Sequence, residues 1–129
     1  MDRDTAGNIV LGGWTSDSTM KTLYNTPDPI MLFIQLGNQY LWGISFTGVN
    51  FDRVSIVKFN PTGSLIFAGF EQAILANAFT FSVVNSTNGN LINSFRVSSS
   101  NAYGKFSRMN QMLVDSSNNL YIALYQFSN

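Results

Sequence analysis

The chain has 129 residues, 45% of them hydrophobic and only 11% charged, and its seven Lys and Arg balance seven Asp and Glu to give no net charge. That balance provides no broad field to attract nucleic acid or anionic lipid. The absence of His and Cys excludes a Ser-His-Asp triad, thiolate chemistry and disulfides, and removes the usual zinc and copper ligands.

Fifteen Asn, fifteen Ser and nine Thr must therefore cover the surface, a composition that suits turns and strand surfaces better than helix interiors. In chain order, short apolar runs predict strands near 8–14, 29–36, 40–46, 53–59, 64–70, 78–84, 90–97, 108–114 and 119–126. The connection at 15–28, "TSDSTMKTLYNTPD", is the longest polar segment and carries Tyr24. "FEQAILANAF" at 70–79 contains helix formers but is short and lacks a cap, so a loop is expected there. The chain has no apolar run of about 18 residues for a membrane helix, and no membrane insertion is expected. "MDRDTAGN" also lacks the basic-then-apolar pattern of a signal peptide.

One phrase occurs three times: "DTAGNIVLGGWT" at 4–15, "NPTGSLIFAGF" at 60–70 and "DSSNNLYIALYQ" at 115–126. Asp4, Asn60 and Asp115 open a turn, and Gly7, Gly63 and Asn118 occupy the position expected to need a positive φ. Aligned without gaps, the copies place Gly12, Ala68 and Ala123 in a small-residue column that should pack closely on a neighbouring strand or sheet, and Trp14, Phe70 and Tyr125 in an aromatic core column. Upstream, Phe51, Arg53 and Val54 match Phe106, Arg108 and Met109. The paired arginines suggest a repeated structural task, such as binding carbonyls or an acid at a sheet edge. Between these hairpins lie two others, at 29–46 and 78–97. Labelling the strands of one unit A to D, the chain runs B, C, D, then A, B, C, D, then A, B. The expected organisation is a single β-repeat domain over 1–129, with a partial unit at 1–50, a full unit at 51–105 and a partial unit at 106–129.

A four-stranded unit of this length is the period of a propeller blade. "DTAGNIVLGGWTS", "FNPTGSLIFAGF" and "VDSSNNLYIALYQ" resemble the core of the bacterial-type β-propeller repeats, the SBBP group and its NHL-like relatives. "IMLFIQLGNQYLW", including Trp42, resembles the hairpin that follows in that family, although Asn118 and Asn93 stand where Gly and Trp are usual. The resemblance implies an all-β fold of antiparallel four-stranded blades, a β-propeller or a fragment of one; a small β-sandwich is the alternative. It implies a scaffold and assigns no activity.

Few residues carry chemistry. Asp2, Asp4, Asp17, Asp28, Asp52, Glu71 and Asp115 are the only acids, and Asp4 and Asp115 read as turn openers. Asp2 and Asp4 ahead of Gly7 lack calcium-loop spacing, and Gly12-Gly13 lies inside a strand, so no catalytic, cofactor or metal residue is expected. Asn85-Ser86-Thr87 is a sequon, making Asn85 a candidate glycosylation site in a eukaryotic secretory setting. Eighteen aromatics, Trp14, Trp42, Tyr40 and Tyr103 foremost, invite a sugar-stacking reading, and the loop residues Tyr24 and Tyr103 are the freest to contact a glycan or peptide. The expected function is a non-catalytic structural or adhesive module at a cell surface or outside the cell, whose partners are its own copies, flanking β-repeats or a glycan. The alternative is a carbohydrate-binding or enzyme-domain fragment of a larger propeller protein. The incomplete first and last units are expected to leave unpaired edges that join head to tail with neighbouring copies or repeats.

Overall fold

The computed structural model describes residues 1–15, 28–35, 37, 39–45, 53–71, 78–98 and 104–128. The described part is all-β and contains no helix. The strands are β1 (Asp2–Arg3), β2 (Ile9–Thr15), β3 (Asp28–Gln35), β4 (Gln39–Ser45), β5 (Arg53–Phe59), β6 (Leu65–Glu71), β7 (Ala78–Asn85), β8 (Leu91–Ser98), β9 (Gly104–Val114) and β10 (Leu120–Ser128). They form three antiparallel sheets: β1-β2-β3-β4, β5-β6-β7-β8 and the pair β9-β10. All nine expected strands are present, and Asp2–Arg3 adds a tenth. The first sheet therefore does have an A strand, a correction to the expected B, C, D order: β1 pairs with β2 through Asp2 opposite Val10 and Arg3 opposite Ile9. Two residues are too few to read as a strand from sequence. The segment 72–77 lies outside the described residues.

The sheets stack in chain order. Val10, Met31 and Phe33 of the first sheet share a core with Val54, Val57, Phe59, Ile66, Ala68, Phe70 and Val84 of the middle sheet. The opposite face of the middle sheet, with Phe67, Phe79, Phe81 and Val83, packs on Met109, Met112, Leu120 and Ile122 of the third. Both faces of the middle sheet are thus covered at β6, which is why Ile66–Phe70 is buried without a break, while residues 91–97 of the edge strand β8 are exposed. In β10, covered on one side only, Leu120, Ile122 and Leu124 turn inward while Tyr121, Ala123 and Tyr125 are exposed.

The three A-to-B turns share one hydrogen-bonding scheme. The N–H of Gly7, Gly63 and Asn118 donates to the carbonyl of Asp4, Asn60 and Asp115 at 3.2, 2.9 and 3.0 Å. The opener's side chain accepts from the backbone leaving the turn, Asn8 at 2.8 Å, Leu65 at 3.0 Å and Asn119 at 2.9 Å. Gly7, Gly63 and Asn118 all take positive φ, at 91°, 73° and 63°. Only Asn118 bears the steric cost of a Cβ there, which a short amide side chain tolerates better than most.

The second turn, however, is one residue longer. Asp4 and Asp115 close onto Asn8 and Asn119, four residues on, whereas the Asn60 N–H donates to the Leu65 carbonyl, five residues on. Consequently Arg3, Phe59 and Val114 face Ile9, Ile66 and Leu120. The small-residue column is therefore Gly12, Gly69 and Ala123, and the gapless column through Ala68 is off by one in β6. Ala68 is itself fully buried, but on the side facing the first sheet. The same slip corrects the aromatic column: Phe70 is core at 1% exposure, while Trp14 and Tyr125, aligned with Glu71, are 56% and 57% exposed.

A Cβ on Gly12 would lie 2.6 Å from Val54 Cγ1 and 2.9 Å from Val57 Cγ1, both on stiff β-branched side chains. Gly12→Ala is therefore expected to destabilise by roughly 1–3 kcal/mol, whereas Ala123→Val, over which no described sheet lies, should stay within about 0.5 kcal/mol. Urea unfolding midpoints of the two variants check this, and equal values would show the column to be wrong.

Candidate functional site, an uncovered sheet face

Successive sheets meet through contacts that recur in the same sense. Val54 of β5 sits on Gly12 of β2, and its sequence counterpart Met109 of β9 sits on Gly69 of β6, where a Cβ would lie 2.6 Å from the Met109 sulfur. The turns also stack in order. Gly63 lies beside Asp4, with a Cβ at that glycine 3.1 Å from Asp4 Oδ2, and Asn60 Nδ2 donates to Asn118 Oδ1 at 2.9 Å. In each case the positive-φ residue of the later turn meets the opener of the earlier one.

Specific polar bridges reinforce the first junction. Asp2 Oδ1 accepts from Lys58 Nζ and Asp2 Oδ2 from the Phe59 N–H, each at 2.8 Å. Trp42 stacks on Phe33 with ring centroids 5.3 Å apart and donates its indole N–H to the Ser86 carbonyl at 2.8 Å. At the second junction the Met109 N–H donates to Glu71 Oε1 at 3.3 Å. Glu71 also pairs with Arg53, whose Nε lies 2.8 Å from Glu71 Oε2. Arg53 thus holds an acid within its own sheet, as a structural arginine would; the Arg108 side chain lies outside the described residues.

The outward face of the third sheet has no such cover among the described residues. Tyr121 stands where Val10 and Phe67 stand in the first and second sheets. Those two are 0% and 5% exposed, but Tyr121 is 58% exposed. Leu113 is 54% exposed and Tyr125 57%, with Ala123 between the tyrosines and Gln111 opposite it, so the strip is mainly apolar with polar tips. Sequence reasoning missed this face. The signal was present in the alternation of "LYIALY" against the unbroken "LIFAGF".

Of the site residues predicted from sequence, Tyr24 and Tyr103 lie outside the described residues, as does the Tyr40 side chain. Asn85 ends β7 and is half-buried, and its Oδ1 accepts the Thr87 N–H at 2.8 Å while Ser86 is buried against Trp42. Trp42 is committed to packing and to its cross-sheet bond. Asp4 and Asp115 are turn openers as expected. Asp2, of which the sequence shows only that calcium-loop spacing is missing, ties the first sheet to the second. Among the described residues no three acidic side chains gather to hold a metal ion. No family model and no curated protein matches the chain.

Asp115 differs in its environment from an ordinary exposed carboxylate. The side-chain amide of Asn119 does most to hold its carboxyl below the usual value, the backbone N–H groups of Asn119 and Ser117 add to this, and the Tyr121 hydroxyl contributes a weaker bond. The same contact, followed by the charge of Asp115, raises the Tyr121 phenol. A carboxyl lowered in the folded state adds stability that is present above its unfolded value near about 4 and is lost as pH falls through the folded one. Asp115→Asn is therefore expected to melt lower than the wild type at neutral pH, with the gap closing below about pH 4. Thermal melts across that range measure it, and a gap independent of pH would refute the assignment.

Proposed function

We propose that this chain is a non-catalytic structural or adhesive β-repeat module of propeller type, acting through protein–protein contacts at a cell surface or outside the cell. The observation that carries the reading is the recurrence of one junction: strand A of the later sheet on a small residue of strand B, and turn on turn. Units related in this way add head to tail, closing into a ring or continuing as a filament according to the rotation between them, which suits a scaffold. Three sheets stacked in sequence are compatible with blades and with a sandwich alike, and the repeated junction is what favours blades in this reading. The neutral, Asn/Ser/Thr-rich surface and the lack of His and Cys agree with a module that binds through shape and neutral hydrogen bonds.

The acids whose side chains are described are already committed to turns and junctions. Asp4 and Asp115 cap, Asp2 bridges to Lys58 and Phe59, and Glu71 is held by Arg53 and the Met109 N–H. A screen of glycosidase and esterase substrates, run beside a glycan array with wild type, Asp2→Asn and Glu71→Gln, tests the reading. The expected result is no turnover and no glycan retention. Turnover abolished by either variant would make the chain an enzyme domain, and glycan retention lost on Trp14→Ala or Tyr125→Ala would make it a carbohydrate-binding one.

A further inference from the structure

We infer that the outward face of the third sheet receives the first sheet of a second copy of this chain, joined head to tail in the same sense as the three sheets within one chain. The inference rests on the module reading above and names the partner of the uncovered face. Each junction within the chain has a giving side and a receiving side. The receiving side consists of strand-B positions occupied by Val10 and Gly12 in the first sheet and by Phe67 and Gly69 in the second; the next sheet buries Val10, Phe67 and Gly69 and sets Val54 against Gly12. In the third sheet these positions are Tyr121 and Ala123, and both are bare.

The chain also carries an unused giving side. Strand registers place Ile9 of β2 at the position of Ile66 and Leu120, both of which point back towards the preceding sheet. Ile9 and Leu11 therefore face away from the middle sheet, and so do Ile30 and Leu32 of β3, between the core residues Pro29, Met31 and Phe33. These four aliphatic side chains are half-buried, and no other described sheet lies over them. The two faces are largely apolar, aliphatic on one side and Leu113 with tyrosine rings on the other, and the charge on the giving face is the exposed Arg3, which stands opposite Ile9 at the edge strand where Phe59 and Val114 stand in the other sheets.

The turns fit the same arrangement. Gly63 rests beside Asp4, so Gly7 of the incoming copy would rest beside Asp115, whose oxygens are already occupied by Asn119, Ser117 and Tyr121. A glycine at that position leaves room for the opener's side chain, as it does at Gly63. Giving and receiving faces differ, so the contact is heterologous and propagates from copy to copy.

Blocking one face at a time tests the geometry. Tyr121→Glu disables the receiving face and Leu32→Glu the giving face, with Tyr125→Glu and Leu11→Glu as second versions; circular dichroism and thermal melts identify which of them fold. By light scattering, wild type is expected to grow in mass with concentration, and each blocked variant alone to stay a single chain. An equimolar mixture of one variant of each kind should form a complex that stops at two chains. A wild type that remains monomeric overturns the inference, as does assembly that neither block disturbs. A giving-face variant that dimerises by itself would show pairing between like faces and overturn the head-to-tail geometry. Either outcome leaves the non-catalytic reading intact, because only turnover or glycan retention bears on that.

Discussion

The architecture depends on close approach between the second strand of one sheet and the first strand of the next. Gly12 and Gly69 let Val54 and Met109 press against the backbone, and this sets the spacing at which the remaining apolar side chains interlock. With that spacing fixed, Phe33 meets Phe59 edge to face at 6.0 Å, and Trp42 reaches the Ser86 carbonyl of the next sheet. A side chain at either glycine would separate the layers and loosen contacts well beyond its own site, because interiors packed to crystal-like density transmit strain. The turn ladder then holds register along the stack. Asn60 illustrates this: its side chain accepts from Leu65 within its own turn and donates to Asn118 of the next.

The same packing explains what the sequence could and could not reveal. Strand identity was legible for every strand but the two-residue β1, because turn residues punctuate the apolar runs and the positive-φ positions fall at Gly7, Gly63 and Asn118. Register was not legible in β6. A strand covered on both faces needs apolar residues at every position, so "LIFAGF" carries no alternation, and a one-residue slip leaves its hydrophobic pattern unchanged. The extra residue lies between Gly63 and Leu65, inside a turn whose opener and glycine still align, so a gapless reading passed over it. Upstream of the turn the alignment holds in detail. Ser55 and Asn110 are each the unpaired residue of a bulge, at matching places in β5 and β9.

The candidate site was less legible than the fold, for a different reason. An exposed Tyr on one strand is indistinguishable in sequence from a Tyr buried under the next sheet, since both suit a β position. Tyr121 became informative only when the register aligned it with Val10 and Phe67. Trp14 shows the converse error: membership of an aromatic column suggested core, yet its aligned partner is Glu71, and the side chain is exposed. The acids were read more reliably. Turn-opening Asp and Asn act through local hydrogen bonds spanning four or five residues, and local chemistry is what sequence shows best. Asp2 escaped that reading because its partners, Lys58 and Phe59, lie in a different sheet.

Electrostatics places no obstacle between copies of this chain. With no net charge there is no long-range repulsion to keep like molecules apart, and equally no field to steer them together. Selectivity at the free face must therefore arise at contact, from shape and from the turn ladder. The carboxylate of Asp115 is satisfied by groups of its own turn, so a neighbouring backbone can approach it without stripping its partners, while Arg3 on the edge strand β1 adds a charge on the giving side. Tyr121 links the two features, presenting its ring to the free face while its hydroxyl bonds Asp115 at 3.2 Å. The apolar strip and the turn are consequently one rigid surface, and a partner that fits one is aligned on the other.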